Sequence, residues 1–111
     1  MNPRDQASLL DIAKAARFSL DFVNGMTQEG FAADTKTQSA VLYQIAVLGE
    51  AVKRLSPEFR NQHPNIPWSA MAGMRDKLIH DYEGVDVDRI WLTLKSSIPD
   101  LLQAITPLLG D

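Results

Sequence analysis

Thr35 to Leu55 reads TKTQSAVLYQIAVLGEAVKRL, and its apolar residues decide the fold class. Val41, Ile45, Leu48, Val52 and Leu55 follow one another in steps of four and three. That spacing lines one face of an α-helix, which turns once in about 3.6 residues. Asp34 stands before the run as an N-cap, and Pro57 bars further extension behind it.

The pattern repeats on both sides. Towards the N-terminus, Leu9, Ile12, Ala16, Leu20 and Val23 form a second helical stripe. Asn2 serves as its cap, Pro3 sits at the first helical position, and Asn24-Gly25 supplies the stop. A short turn holding Phe31 joins the two. Beyond Pro57, prolines punctuate the chain to Ile66, predicting a turn of helix and a loop. Pro67-Trp68 opens a third helix that is expected to reach Tyr82, bent near Gly73 and ended by Glu83-Gly84. Asp86 caps a last helical region with Ile90, Trp91 and Leu94 inward; Pro99 should kink or split it ahead of Leu102, Ile105 and Leu109. Strand-like alternation is absent over any useful length. The expectation is all-α: one domain, residues 1–111, forming an up-down bundle of four to five helices.

Composition narrows the function. At 111 residues there is length for one core and no second domain. With no cysteine, thiolate metal sites, thiol nucleophiles and disulfides are excluded. A secretory leader and an apolar run long enough to span a bilayer are both lacking, so the chain reads as soluble and cytoplasmic. The formal charge of −3 argues against bulk nucleic-acid binding, though a small basic site remains compatible with it.

Chemistry gathers in one octapeptide, Arg75-Asp76-Lys77-Leu78-Ile79-His80-Asp81-Tyr82, which holds one of two histidines and one of two tyrosines. Imidazole exchanges a proton near neutral pH, and guanidinium grips phosphate oxygens in a fixed fork. On a regular helix, at about 100° per residue, Asp76 and His80 share a face and Arg75 and Tyr82 share another. The two faces stand roughly 120° apart, so one regular helix cannot aim all four groups at one phosphate. Either the helix end unwinds near Asp81, or a second copy of the chain completes the site. Spacing alone is read more simply as a solvated face with weak local ion pairs. Glu50, beside an apolar stripe, is expected to be partly buried and to need a cation such as Arg75. Lys53-Arg54 reads as a charge cap on its helix, His63 as incidental, and Trp68, Met71 and Met74 as core. No pair of His or carboxylate residues has zinc-helix spacing, so no metal site is expected.

From about Asp11 to Leu109 the chain resembles the HepT-like family of the HEPN superfamily, the toxin halves of bacterial and archaeal toxin–antitoxin pairs. Arg75-x4-His80-x-Tyr82 matches the family's Arg-x4-His-x-Tyr signature. Gly49-Glu50-Ala51, Ile66-Pro67-Trp68, Gly73-Met74-Arg75, Val85-Asp86 and Ile90-Trp91 support it in order and spacing. The resemblance implies a HEPN-like homodimer with two motifs facing across a shared cleft, acting as a cofactor-free, metal-independent endoribonuclease on RNA. His80 would be the general base or acid, Arg75 would stabilise charge on the transition state, and Asp76 would orient His80. It also implies a type VII pairing, in which a minimal nucleotidyltransferase antitoxin silences the toxin by AMPylation of Tyr82. Asp76 departs from the Asn common there; its charge would raise the histidine pKa and repel phosphate. A non-catalytic module that binds the nucleotidyltransferase and accepts AMP is the alternative reading.

Overall fold

In a computed structural model that describes residues 1–80 and 84–109, the helical stripes become helices with the caps their sequences offer. α1 runs Pro3–Phe22, with the Asn2 side chain accepting from the Asp5 amide at 2.7 Å. α2 is Gln28–Ala32, capped by Thr27. α3 is Thr35–Lys53, capped by Asp34, whose carboxylate accepts from the Thr37 amide and hydroxyl at 3.0 and 2.7 Å. Pro57 does stop α3, and it also starts α4, Pro57–Gln62, with Ser56 as cap.

α1 and α3 lie against each other along most of their length. Leu9, Ile12, Val41, Ile45, Leu48 and Val52 are fully buried, so both predicted stripes face one core. Phe31, from the short turn, is also fully buried and lies 5.4 Å from the Trp91 ring. Gln38 holds α2 to α3 by donating to the carbonyls of Phe31 and Ala32.

The third helix departs from expectation. It breaks at Gly73 into α5, Trp68–Ala72, and α6, Met74–Leu78, and it ends four residues short of the expected Tyr82. Ile79 turns extended (φ −117°, ψ 126°), and Ile79–His80 (β1) pairs antiparallel with Gly84–Val85 (β2). Two features favour that exit over another helical turn. Gly84 holds φ +81°, a left-handed conformation natural to glycine, and stands in β2 instead of stopping a helix. The Asp86 amide donates to the Leu78 carbonyl at 2.9 Å, satisfying a group the helix end leaves open. Asp76 and His80 therefore do not share a helical face. Tyr82 and Glu83, which carried the expected helix end, lie outside the described residues.

The last region follows its prediction and shows how. α7, Val87–Leu92, is capped by Asp86. A π-helical stretch, Thr93–Ser97, then leads into α8, Ile98–Ile105, and a 3₁₀ turn, Thr106–Leu109. Pro99 has no amide to give and its ring crowds the preceding turn; the wider π turn, with the Ile98 amide on the Thr93 carbonyl, absorbs it. The wider turn also shifts the inward face: Ile98, Leu101 and Ile105 are buried, while Leu102 and Leu109 are half-buried. The architecture is all-α with one two-residue hairpin, and among the described residues no helix is long and apolar enough to cross a membrane.

Candidate active site

The site begins with a glycine. A Cβ on Gly49 would stand 3.0 Å from the Ala72 carbonyl oxygen, so α3 rests on the backbone of α5 where a side chain would hold it off. That contact brings Glu50 and Lys53 of α3 beside Arg75 and Asp76 of α6. Together with Ala46, Gly49 and Ala72 they line an open cleft of about 280 Å³.

Four charges share this cleft, two of each sign. Arg75 Nη1 lies 3.3 Å from Asp76 Oδ1, with the side chains 52% and 78% exposed. Lys53 Nζ lies 3.3 Å from Glu50 Oε1, and this pair is also solvated. Pairs so exposed hold each other by a few tenths of a kcal/mol up to about 1 kcal/mol. An incoming phosphate, able to take both arms of a guanidinium, competes well against them. Glu50 thus departs from expectation. It is exposed and paired with Lys53, because Gly49 and Ala51 take the inward positions and the next residue of the helix must look out. Lys53, read from sequence as a helix-end charge, is a cleft cation.

The structure thus brings Arg75, Asp76 and Glu50 together. His80 follows on β1, two residues past the end of α6, so the motif crosses from helix to strand. Its imidazole and the whole of Tyr82 lie outside the described structure. His63, the other histidine, is structural: its carbonyl accepts from Trp68 Nε1 at 3.0 Å and its ring packs 4.8 Å from Phe59.

A second opening, lined by Met74, Lys77, Leu78, Arg89, Thr93 and Ser97 among others, lies on another side of α6, so Lys77 does not share the Arg75 cleft. Sequence reasoning also missed Asp5. The residue is only 2% exposed, and its carboxylate accepts from the Ser56 amide at 2.8 Å and hydroxyl at 2.6 Å. Burial pushes its pKa up, but the Ser56 hydroxyl and amide, Asn2 and nearby Arg4 together bring it below the ordinary value. Nothing local in the sequence links residues 51 apart, so only the fold reveals this contact.

The chain matches the family described as "Ribonuclease HepT-like" over residues 12–108. It is 47% identical over 93 residues to a protein of Thermococcus cleftensis named "Probable ribonuclease HepT", covering 84% of each chain. It is 41% identical over 106 residues to a candidate RNase of Methanocaldococcus jannaschii, covering 96% of this chain and 88% of the relative. A candidate RNase of Caldanaerobacter subterraneus is 40% identical over 98 residues, with 88% of each chain covered. No solved structure matches the chain. With a family match over nearly its whole length, this chain belongs to the HepT-like ribonuclease family.

Proposed function

We propose that this chain is a metal-independent endoribonuclease acting as a homodimer, and the toxin of a toxin–antitoxin pair. The observation that carries the reading is the exposed Arg75 guanidinium at the Glu50–Lys53 cleft, in a chain of this family. In the reaction, His80 takes the proton of a ribose 2′-hydroxyl. The 2′-oxygen forms a bond to the adjacent phosphorus, and the bond from phosphorus to the 5′-oxygen breaks. The leaving oxygen takes a proton, and the products are a 2′,3′-cyclic phosphate and a 5′-hydroxyl. Arg75 offsets the charge that grows on the phosphoryl oxygens, and Lys53 is placed to hold a neighbouring phosphate.

The family resemblance is what argues for two copies, since the helix end unwinds at Ile79 and helical geometry by itself no longer demands a second chain. A second copy would set two Arg75–His80 motifs within reach of one RNA strand. Such a toxin works in the cytoplasm, where its RNA substrate is.

Silencing would fall on Tyr82, two residues from His80. A partner nucleotidyltransferase lets the phenol oxygen attack the α-phosphorus of ATP, with pyrophosphate leaving. The tyrosyl-AMP adds bulk and negative charge next to the motif. Incubation with ATP and a small nucleotidyltransferase should add whole AMP units to the intact mass, and Tyr82→Phe should add none. The solvated pairing of Arg75 by Asp76 favours one second reading, a module that accepts AMP without turning over RNA. RNA cleavage in EDTA decides between them.

A further inference from the structure

We propose that the opening between α6 and the π-helical stretch is a phosphate subsite for the RNA strand, an inference that rests on the ribonuclease reading above and extends its substrate site. Lys77 lines it from α6. Arg89, Thr93 and Ser97 line it from α7 and the π-helical stretch, four residues apart, around a space of about 200 Å³. Lys77 and Arg89 are exposed, and neither belongs to an ion pair among the described residues. The chain as a whole carries −3. The Arg75 cleft holds Glu50 and Asp76, and two further openings hold Asp100 and Asp11. Against that background, the described lining of this opening has two cations and no carboxylate.

The π-helical stretch adds a neutral donor. Thr93, Ser96 and Thr106 spend their hydroxyl protons on carbonyls four residues back, those of Arg89, Leu92 and Leu102. By the same rule Ser97 would turn to Thr93, but the wider turn gives the Thr93 carbonyl to the Ile98 amide. The half-buried Ser97 hydroxyl makes no hydrogen bond among the described residues, so its proton is available to the opening it lines. Isolated π turns recur at functional positions of helices.

An ammonium, a guanidinium and a hydroxyl together offer many donors to one small space. A phosphodiester answers them, with charged oxygens that accept. Position makes the RNA strand its source. Arg75 and Lys77 stand two residues apart on α6, turned by about 200° from each other. With its side chains a helix is only about 10 Å across, so a strand of a few nucleotides held at Arg75 reaches Lys77 and Arg89. Charge agrees with this. The Arg75 cleft is balanced between acids and bases, so a second, purely cationic contact supplies attraction that the cleft lacks.

The test is binding of a single-stranded 2′-O-methyl RNA, which lacks the attacking hydroxyl, measured by fluorescence anisotropy over a range of salt. Each phosphate contact on a single strand adds about 0.7 to the slope of log affinity against log salt, so Lys77→Gln/Arg89→Gln should lower the slope by about 1.4. Lys14→Gln/Lys95→Gln removes the same charge from cations that lie over Phe18 and Trp91, and should leave the slope unchanged. On cleavable RNA the first variant should raise KM and keep kcat, since it touches no reacting atom. All four side chains are exposed, and circular dichroism checks that both variants stay folded. An unchanged slope in Lys77→Gln/Arg89→Gln, an equal fall in the control, or a loss confined to kcat would overturn the subsite. Wild type that neither binds nor cleaves RNA would remove the ribonuclease reading itself. Wild type that cleaves, with both variants behaving like it, would remove the subsite alone.

Discussion

Gly49 touches Ala72 backbone to backbone: the Cα of one lies so near the carbonyl oxygen of the other that a Cβ would fall 3.0 Å from it. Gly49→Ala must push α3 off α5, since the obstacle is main chain and cannot swing aside. Overpacking of this kind costs about 1–3 kcal/mol. The same shift moves Glu50 and Lys53 away from Arg75, so cleavage should fall even at temperatures where the variant is fully folded. Urea melts and RNA turnover on one sample check both halves.

Asp5 should set part of the acid limit of stability. Its pKa, like that of Asp34 under the donors of Thr37, is held below the ordinary 3.8 in the folded chain. A carboxylate so depressed adds stability that is complete above its unfolded value and lost as the pH falls through the folded one. Asp5→Ala also leaves the Ser56 donors without their acceptor, a loss of about 1–3 kcal/mol near neutral pH. The gap between wild type and variant in denaturant midpoint should narrow as the pH drops below 3.8. An unchanged gap between pH 7 and pH 3 would refute this role.

Asp76 competes with substrate for Arg75. Asp76→Asn removes a charge without changing the side chain's size, so RNA should bind more tightly. The pair is solvated, which bounds the gain at about two- to fivefold. Fluorescence anisotropy with an RNA carrying a 2′-deoxy residue at the cleavage position reads affinity free of turnover. The gain should shrink as salt rises. Weaker binding would show that Asp76 supports the substrate site instead of opposing it.

Most of the fold could be read from the sequence because its signals were local and agreed. Asn2, Asp34 and Asp86 cap the helices they precede, and the stripe from Val41 to Leu55 is buried throughout. The third helix failed where a local signal was outvoted by a distant one. Arg75 to Tyr82 carries no helix breaker, so nothing within it announced the turn to extended backbone at Ile79. The cause lies downstream, in Gly84 and the Asp86 amide that closes on Leu78. Pro99 was legible as a disruption, but the π turn that accommodates it depends on packing. Glu50 was drawn to the right cleft for the wrong reason: Arg75 does line its cleft, but Lys53, one turn along the same helix, pairs with it. Asp5 and Ser56, on separate elements, could not be paired from sequence at all.

The central claim is that Arg75 and His80 cleave RNA without a metal. The direct measurement is turnover of a single-stranded RNA by purified wild type, His80→Ala and Arg75→Ala in excess EDTA, with the product ends identified by mass. Wild type should cleave and leave a 2′,3′-cyclic phosphate. His80→Ala should lose about 10²–10⁴ in rate, the usual worth of a positioned acid or base, and Arg75→Ala should lose a comparable factor through the transition-state charge. Cleavage that survives His80→Ala, or that appears only when a divalent metal is added, would contradict the account.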